Sequence, residues 1–166
     1  MASPEGNKGR KIVIPVDGSK HSERAFDWYK GALHRGNDEV FVVHAFDPYA
    51  APPTPYPYGF AFPEDWEQHM KKTVDDAKSV MEYYEKKCKD SKMKCTMLTK
   101  PGDPGETICE IAKDKNADQI IMGSRGLGTV RRTIVGSVSE FCLHHTHIPM
   151  SIVPPEKPDG LGFINK

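Results

Sequence analysis

The chain has 166 residues, with 23 Lys and Arg against 23 Asp and Glu and a formal net charge of zero. That length is most simply one domain with enough chain to bury a core, and the charge balance argues against a general nucleic-acid binder, which is usually strongly basic. No apolar run approaches the ~20 residues that span a bilayer. The first residues lack the apolar core of a secretion signal. Cys88, Cys95, Cys109 and Cys142 form no CxxC pair, so reduced thiols in a cytoplasmic protein without membrane contact are expected.

In chain order, residues 1–9 read as a flexible N-terminus. Lys11–Val16 is a β-branched run closed by Asp17-Gly18, a strand ending in a turn. Ser19 is placed to cap a helix whose inward residues are Ala25, Trp28, Tyr29, Ala32 and Leu33, with Gly36 as its stop. Glu39–Phe46 is a second strand, almost continuously apolar, as in a parallel sheet covered on both faces.

Residues 48–63 hold six of the fourteen prolines, with Tyr49, Tyr56, Tyr58, Phe60 and Phe62 between them. Proline fixes φ and removes a donor, so this is a long inserted loop, open to being a partner site, a lid or a plain connection. A charged helix follows from Glu64 to Lys89, with Trp66, Met70, Val74, Ala77, Met81 and Tyr84 as its apolar stripe. Lys94–Thr99 is a third strand, Glu106–Lys115 a helix with Ile108, Ile111 and Ala112 inward, and Asp118–Met122 a fourth strand. Ser137–His145 is a helix and Pro149–Val153 a fifth strand. Residues 155–166, rich in Pro and Gly, read as a flexible tail.

This β-α-β alternation builds an α/β fold: a doubly wound five-stranded parallel sheet with helices on both faces. Ligands in such sheets sit beyond the carboxyl ends of the strands, where strand order reverses. Pro15-Val16-Asp17, His44–Asp47 and Gly123–Gly126 all fall at such ends.

The last of these is the most informative. Gly123-Ser124-Arg125-Gly126 follows the apolar run Ile120–Met122 and, nine residues on, Gly136-Ser137 opens a helix. Glycines at a strand-to-helix junction let backbone N–H groups approach an anion, and the helix N-terminus adds orphan donors and partial positive charge. From Gln119 to Ser139 there is no acid but three arginines, Arg125, Arg131 and Arg132. Those arginines could equally be a solvated face. The spacing is not a Walker A loop, not G-x-G-x-x-G (Arg131 stands where the last Gly belongs), and not a G-x-S-x-G elbow.

The pattern G-x-x-G, nine residues, then G-[ST] resembles that of the universal stress protein family, in its ATP-binding subclass. Gly123, Gly126, Gly136 and Ser137 match it without a gap, and the likeness extends to Ile12–Asp17, Val42–Ala45 and Gly102-Asp103-Pro104, over roughly residues 10–154. The resemblance implies a Rossmann-like fold of the adenine nucleotide alpha-hydrolase type, and a nucleotide-dependent regulator in the stress response. It implies that Pro15, Val16 and Asp17 lie beside the nucleoside, with the Asp17 carboxylate near a ribose hydroxyl. Ala45 would line the adenine pocket and Met122 pack beside base or sugar. Gly123, Arg125, Gly126, Gly136, Ser137, Val138 and Ser139 would surround the phosphates of ATP. Apart from the resemblance, polyphosphate ligands usually bring Mg2+, though nothing in the sequence requires it. A homodimer paired through the fifth strand is implied as well.

The residues also allow plainer readings. Asp17 could cap the first helix or form a turn with Gly18. Ser137-Val-Ser-Glu140 is a capping-box pattern, which would engage the Ser137 hydroxyl in its own helix. His44 reads as a packed residue rather than a catalytic base. His144, His145 and His147 read as surface histidines rather than a metal cluster. No residue is assigned a catalytic role: phosphoryl transfer needs a metal ligand and a group that positions the nucleophile, and Asp17 and Asp47 are the sole nearby candidates. Hydrolysis is therefore expected to be slow or absent. A nucleotide-independent scaffold using Tyr56, Tyr58, Phe60 and Phe62 as anchors is the other alternative.

Overall fold

The computed structural model describes residues 9–49, 63–124 and 135–155. Five strands, β1 (Lys11–Pro15), β2 (Glu39–Phe46), β3 (Cys95–Pro101), β4 (Gln119–Gly123) and β5 (Met150–Val153), form one sheet in the order β3-β2-β1-β4-β5. Every pairing is parallel, with Ile12 opposite both Val40 and Gln119, and Met122 opposite Ile152. The order reverses at β1, which places its carboxyl end between those of β2 and β4.

Alternate side chains along the central strands enter two cores. Ile12, Ile14, Val40, Val42 and Ile121 pack on one face against Phe26, Tyr29, Met81 and Tyr84. Val13, Phe41, Val43, Ile120 and Met122 pack on the other against Ile108, Ile111, Ala112 and Cys142. Both faces are covered, which is why these strands read as continuous apolar runs. Each such side chain contributes about 1.5–3 kcal/mol by leaving water.

Helix α1 (Lys20–Trp28) starts as the sequence indicates: the Ser19 hydroxyl accepts from the Ser22 amide at 3.1 Å. Its buried face is Ser22, Ala25, Phe26 and Tyr29, the i, i+3, i+4, i+7 set. Phe26 thus takes the place expected of Trp28, which is exposed, as is Ala32. The helix widens into a π-helical turn, Tyr29–Leu33, closed by the His34 amide donating to the Tyr29 carbonyl at 2.8 Å. That turn ends the helix at Leu33, three residues before Gly36, so Gly36 is not its stop.

Helix α2 (Pro63–Asp90) buries Ala77, Met81, Tyr84 and Cys88, spaced 4, 3 and 4 residues apart. The apolar stripe expected from Trp66 onward therefore reaches the core only from Ala77. Val74 is 50% exposed, on the rim of a groove between α2 and the β2–β3 edge. Helix α3 (Pro104–Asp114) is capped by Asp103, whose carboxylate accepts from the Glu106 amide at 3.0 Å. Helix α4 spans Ser137–His145, as expected.

Helices α2 and α3 end alike. The Met93 amide reaches back to the Cys88 carbonyl and Lys92 to Lys89, while Ala117 reaches Ala112 and Asn116 reaches Lys113. These are Schellman closures. Their left-handed residues are Lys92 (φ +54°) and Asn116 (φ +51°), not glycines.

At the amino end of the sheet a buried polar knot holds β1 to the turn before β2. The Asp38 carboxylate, its side chain fully buried, accepts from Arg10 Nη2 and Tyr29 Oη, each at 2.7 Å, and from the Arg35 amide at 2.9 Å. Burial alone would raise the Asp38 pKa. The hydrogen bonds from Arg10, Tyr29 and Arg35 outweigh it and hold the carboxyl at about 2.

Candidate functional site

The carboxyl ends of β1, β2 and β4 and the amino end of α4 open on one cavity of about 580 Å3. Pro15, Val16 and Asp17 enter from β1, Ala45 from β2, Met122 and Gly123 from β4, and Gly136, Ser137, Val138 and Ser139 from α4. The sheet brings together these segments, far apart in the chain, because parallel crossovers return every strand in the same sense. Arg125 and Gly126 lie outside the described residues, as do Arg131, Arg132 and the aromatic segment 50–62.

Local chemistry fixes the polar groups. The turn after β1 passes through Gly18 at φ +76°, a conformation L side chains rarely adopt. Within it, Asp17 Oδ1 accepts from the Ser19 amide at 3.0 Å. The carboxylate is thus oriented by an Asx turn. Asp17 does form the turn with Gly18; the cap of α1 is Ser19.

His44 Nδ1 lies 2.7 Å from the Val16 carbonyl oxygen, and its ring stacks on Phe46 at 6.0 Å. The imidazole is buried and committed to bridging β1 and β2. The Phe46 carbonyl accepts from the Gly102 amide at 2.9 Å, which ties the turn before α3 to the same rim.

The start of α4 is the anion-suited end. Its N-cap is Gly136, and no side chain caps it. Ser137 is therefore the first helical residue, and the capping box that Ser137 and Glu140 could have formed is not built. Orphan amides and the helix dipole face the cavity together. The Gly136 amide is itself used: it donates to the Ser124 carbonyl at 2.5 Å, clamping α4 to the end of β4. The Ser139 hydroxyl donates to the Gly123 carbonyl at 3.4 Å, a second clamp. Gly123 has its own packing reason, because a Cβ there would stand 2.6 Å from the His21 carbonyl oxygen.

The wall that sequence reasoning missed comes from α2 and α3. Thr73, Asp76, Ala77 and Val80 line the cavity from α2, and Pro104 and Ile108 from α3. Ile108 was legible as apolar and inward, not as a cavity residue. The α2 contribution depends on how far that helix overreaches the sheet, which no local motif encodes. His144, His145 and His147 stay exposed, with His145 stacked on Phe141 at 3.9 Å. Among the described residues, no three His, Cys, Asp or Glu side chains converge as a metal site, and no helix is long and apolar enough to cross a membrane.

Comparison with known proteins agrees with this architecture. Universal stress protein MJ0577 of Methanocaldococcus jannaschii is 30% identical over 87% of this chain and 94% of its own. The solved structure of MJ0577 superposes with a TM-score of 0.73 at 28% identity, covering 90% of this chain and 99% of that one. An Arabidopsis thaliana family protein, At3g01520, solved with AMP bound, shares the fold at TM-score 0.62 and 22% identity, over 90% and 97% of the two chains. A universal stress protein solved in complex with cAMP shares it at TM-score 0.54 and 20% identity, over 89% and 98%. The sequence model of the Universal stress protein family matches residues 9–154, the whole sheet with its helices, and the chain belongs to that family.

Proposed function

We propose that the cavity binds an adenine nucleotide, ATP, and that the bound nucleotide governs the protein's conformation or partner choice in a stress response. One observation carries this reading. An uncapped helix N-terminus, an oriented carboxylate and an apolar wall line the same cavity, at the point where strand order reverses.

The residues fit such a ligand. The volume of about 580 Å3 lies within the ~300–1,000 Å3 of small-molecule sites. Val43, Ala45, Ile108 and Met122 supply an apolar wall for a base. Asp17 supplies an acceptor for a ribose hydroxyl. The amides at the start of α4, with the Ser137 hydroxyl, supply donors for phosphate. The likeness to proteins solved with AMP and with cAMP supports the nucleotide class. Mg2+ is the proposed companion of the polyphosphate, since such ligands usually bring it.

Hydrolysis is proposed to be slow or absent. Among the described residues, the carboxylates lining the cavity apart from Asp17 are Asp76 and Glu140, and no metal-ligand set accompanies them. A homodimer through β5 is proposed because this four-residue strand lies at one edge of the sheet, where, among the described residues, its backbone donors and acceptors lack a second partner strand. Calorimetric titration of the purified protein with ATP and Mg2+ tests the central reading. Saturable one-to-one binding, weakened in Ser137→Ala, supports it, and no heat at any nucleotide concentration overturns it.

A further inference from the structure

The cavity straddles the carboxyl edge of the sheet. Val43, Ala45, Ile108, Met122 and Val138 of its lining pack in the core on the α3–α4 side, whereas Val16 and Val80 pack in the core on the α1–α2 side. The start of α4 and the wall formed by α2 therefore stand on opposite sides of the sheet. Thr73, Asp76, Ala77 and Val80 of that wall are spaced i, i+3, i+4, i+7, a single helix face turned to the cavity.

The polar groups lining the α1–α2 side have already committed their hydrogens. The Thr73 hydroxyl donates to the His69 carbonyl at 2.9 Å, and the Ser22 hydroxyl to the Ser19 carbonyl at 3.0 Å. The Val16 and Asp17 amides are engaged as well, on the Val43 carbonyl and on Ser22 Oγ. His44 Nδ1, 2.7 Å from the Val16 carbonyl oxygen, carries the proton of that bond, which leaves Nε2 an acceptor in the neutral ring. Asp76 is an exposed carboxylate and accepts only. Among the described residues no lysine or arginine lines the cavity, and Glu140, its third carboxylate beside Asp17 and Asp76, stands on α4. One side thus offers donors at a helix start, and the other offers acceptors and a negative charge.

We propose that Asp76 is a specificity-determining residue, through which the cavity takes nucleotides phosphorylated at the 5′ end alone and rejects those with a second phosphate on the 2′ or 3′ oxygen. This rests on the nucleotide reading. The apolar wall for the base and the amides for the 5′ phosphates both lie on the α3–α4 side. With the ribose at Asp17, a 2′ or 3′ phosphate has the α1–α2 side left to it. There it meets a carboxylate and hydrogen-bond acceptors where it needs donors. Such repulsion discriminates by penalising the wrong ligand, without added contacts to the right one. Free ribose hydroxyls, which can donate, suit the same wall.

Two isomers separate the placement of charge from its amount. ADP and adenosine 3′,5′-bisphosphate carry the same base, the same sugar and two phosphates each. Both are titrated calorimetrically, at fixed Mg2+ and ionic strength, into the parent, Asp76→Asn and Asp76→Lys. Asp76 is exposed, so neither change reaches the core, and circular dichroism checks the fold. The parent should bind ADP at least about tenfold more tightly than the bisphosphate. That ratio should fall in Asp76→Asn, fall further in Asp76→Lys, and shrink for the parent as salt is added, because salt screens an exposed charge. A merely structural role for Asp76 would shift both ligands together and leave the ratio alone. A bisphosphate bound as tightly as ADP by the parent, or one ratio common to all three proteins, overturns the proposal and leaves the nucleotide reading standing. Binding of neither isomer overturns both.

Discussion

The backbone of β4 touches the backbone of α1 through Gly123 and His21. A Cβ on Gly123 would lie 2.6 Å from the His21 carbonyl oxygen and 2.7 Å from its carbonyl carbon. Neither atom belongs to a flexible side chain, so nothing nearby can swing away. Gly123 is thus required for seating α1 on the sheet, apart from any ligand. Gly123→Ala is expected to cost about 1–3 kcal/mol, the range for overpacking. At roughly 2–4 °C per kcal/mol for a chain of this size, thermal unfolding should show a drop of several degrees without nucleotide. An unchanged melting temperature would contradict the packing role.

The Arg10–Asp38–Tyr29 knot makes a prediction about pH. Asp38 is held at about 2 when folded, against ~3.9 in an unfolded chain. A depressed folded pKa stabilises above the unfolded value and is lost as pH falls through the folded one. The stabilisation, on the order of 2 kcal/mol, should therefore be complete above about pH 4–5 and disappear between about pH 4 and pH 2. Asp38→Asn keeps the shape but removes the titration. It should flatten that part of the stability–pH curve and leave Arg10 without its ionic partner, at a cost of about 3 kcal/mol at pH 7. Denaturant melts at a series of pH values measure both effects. An acid limb equally steep in the variant would sink the claim.

For the cavity, Ser137→Ala removes one hydroxyl from an uncapped helix start and should weaken ATP binding about tenfold, the size of one charge-assisted hydrogen bond. Gly136→Val puts a branched side chain into the space beside the α4 amides and should weaken it more. Calorimetry of both variants, with folding checked by circular dichroism, reads this out. Affinity untouched in both would mean that the phosphates lie elsewhere.

Asp17 separates binding from hydrolysis. Asp17→Asn should reduce nucleotide affinity, by loss of the charged ribose acceptor, while phosphate release stays slow in both proteins. Rapid metal-dependent release of phosphate by the parent, lost in Asp17→Asn, would instead make the protein a hydrolase.

The dimer proposal is checked by light scattering at micromolar concentration. A mass near twice 18.6 kDa is expected, and Ile152→Lys on β5 should shift it toward the monomer. A monomeric mass for the parent would remove β5 as an interface.

Much of this was legible in the sequence for physical reasons that differ by element. β2 and α4 have the bounds their sequences indicate, because an uninterrupted apolar run and a Gly-Ser helix start are local signals. Ser19 was legible as a cap because its partner, the Ser22 amide, is three residues away. Long-range features were not legible. Phe26 replaces Trp28 in the core because the face of α1 is chosen by the sheet beneath it. Asp38 looks like an ordinary loop acid until β1 brings Arg10 across 28 residues to meet it. In the cavity, the glycine and Pro-x-Asp segments stood out as motifs, whereas Thr73, Asp76 and Val80 join them only through the length and tilt of α2.

The central claim is that main-chain amides at the start of α4 hold the phosphates of an adenine nucleotide. Amide NMR spectra of the isotopically labelled protein, recorded with and without saturating ATP and Mg2+, test it most directly. The resonances of Ser137, Val138 and Ser139 should move strongly, with Ala45 and Asp17 following, while those of Lys92 and Asn116 stay in place. If the α4 amides do not move under saturation, the proposed site is wrong.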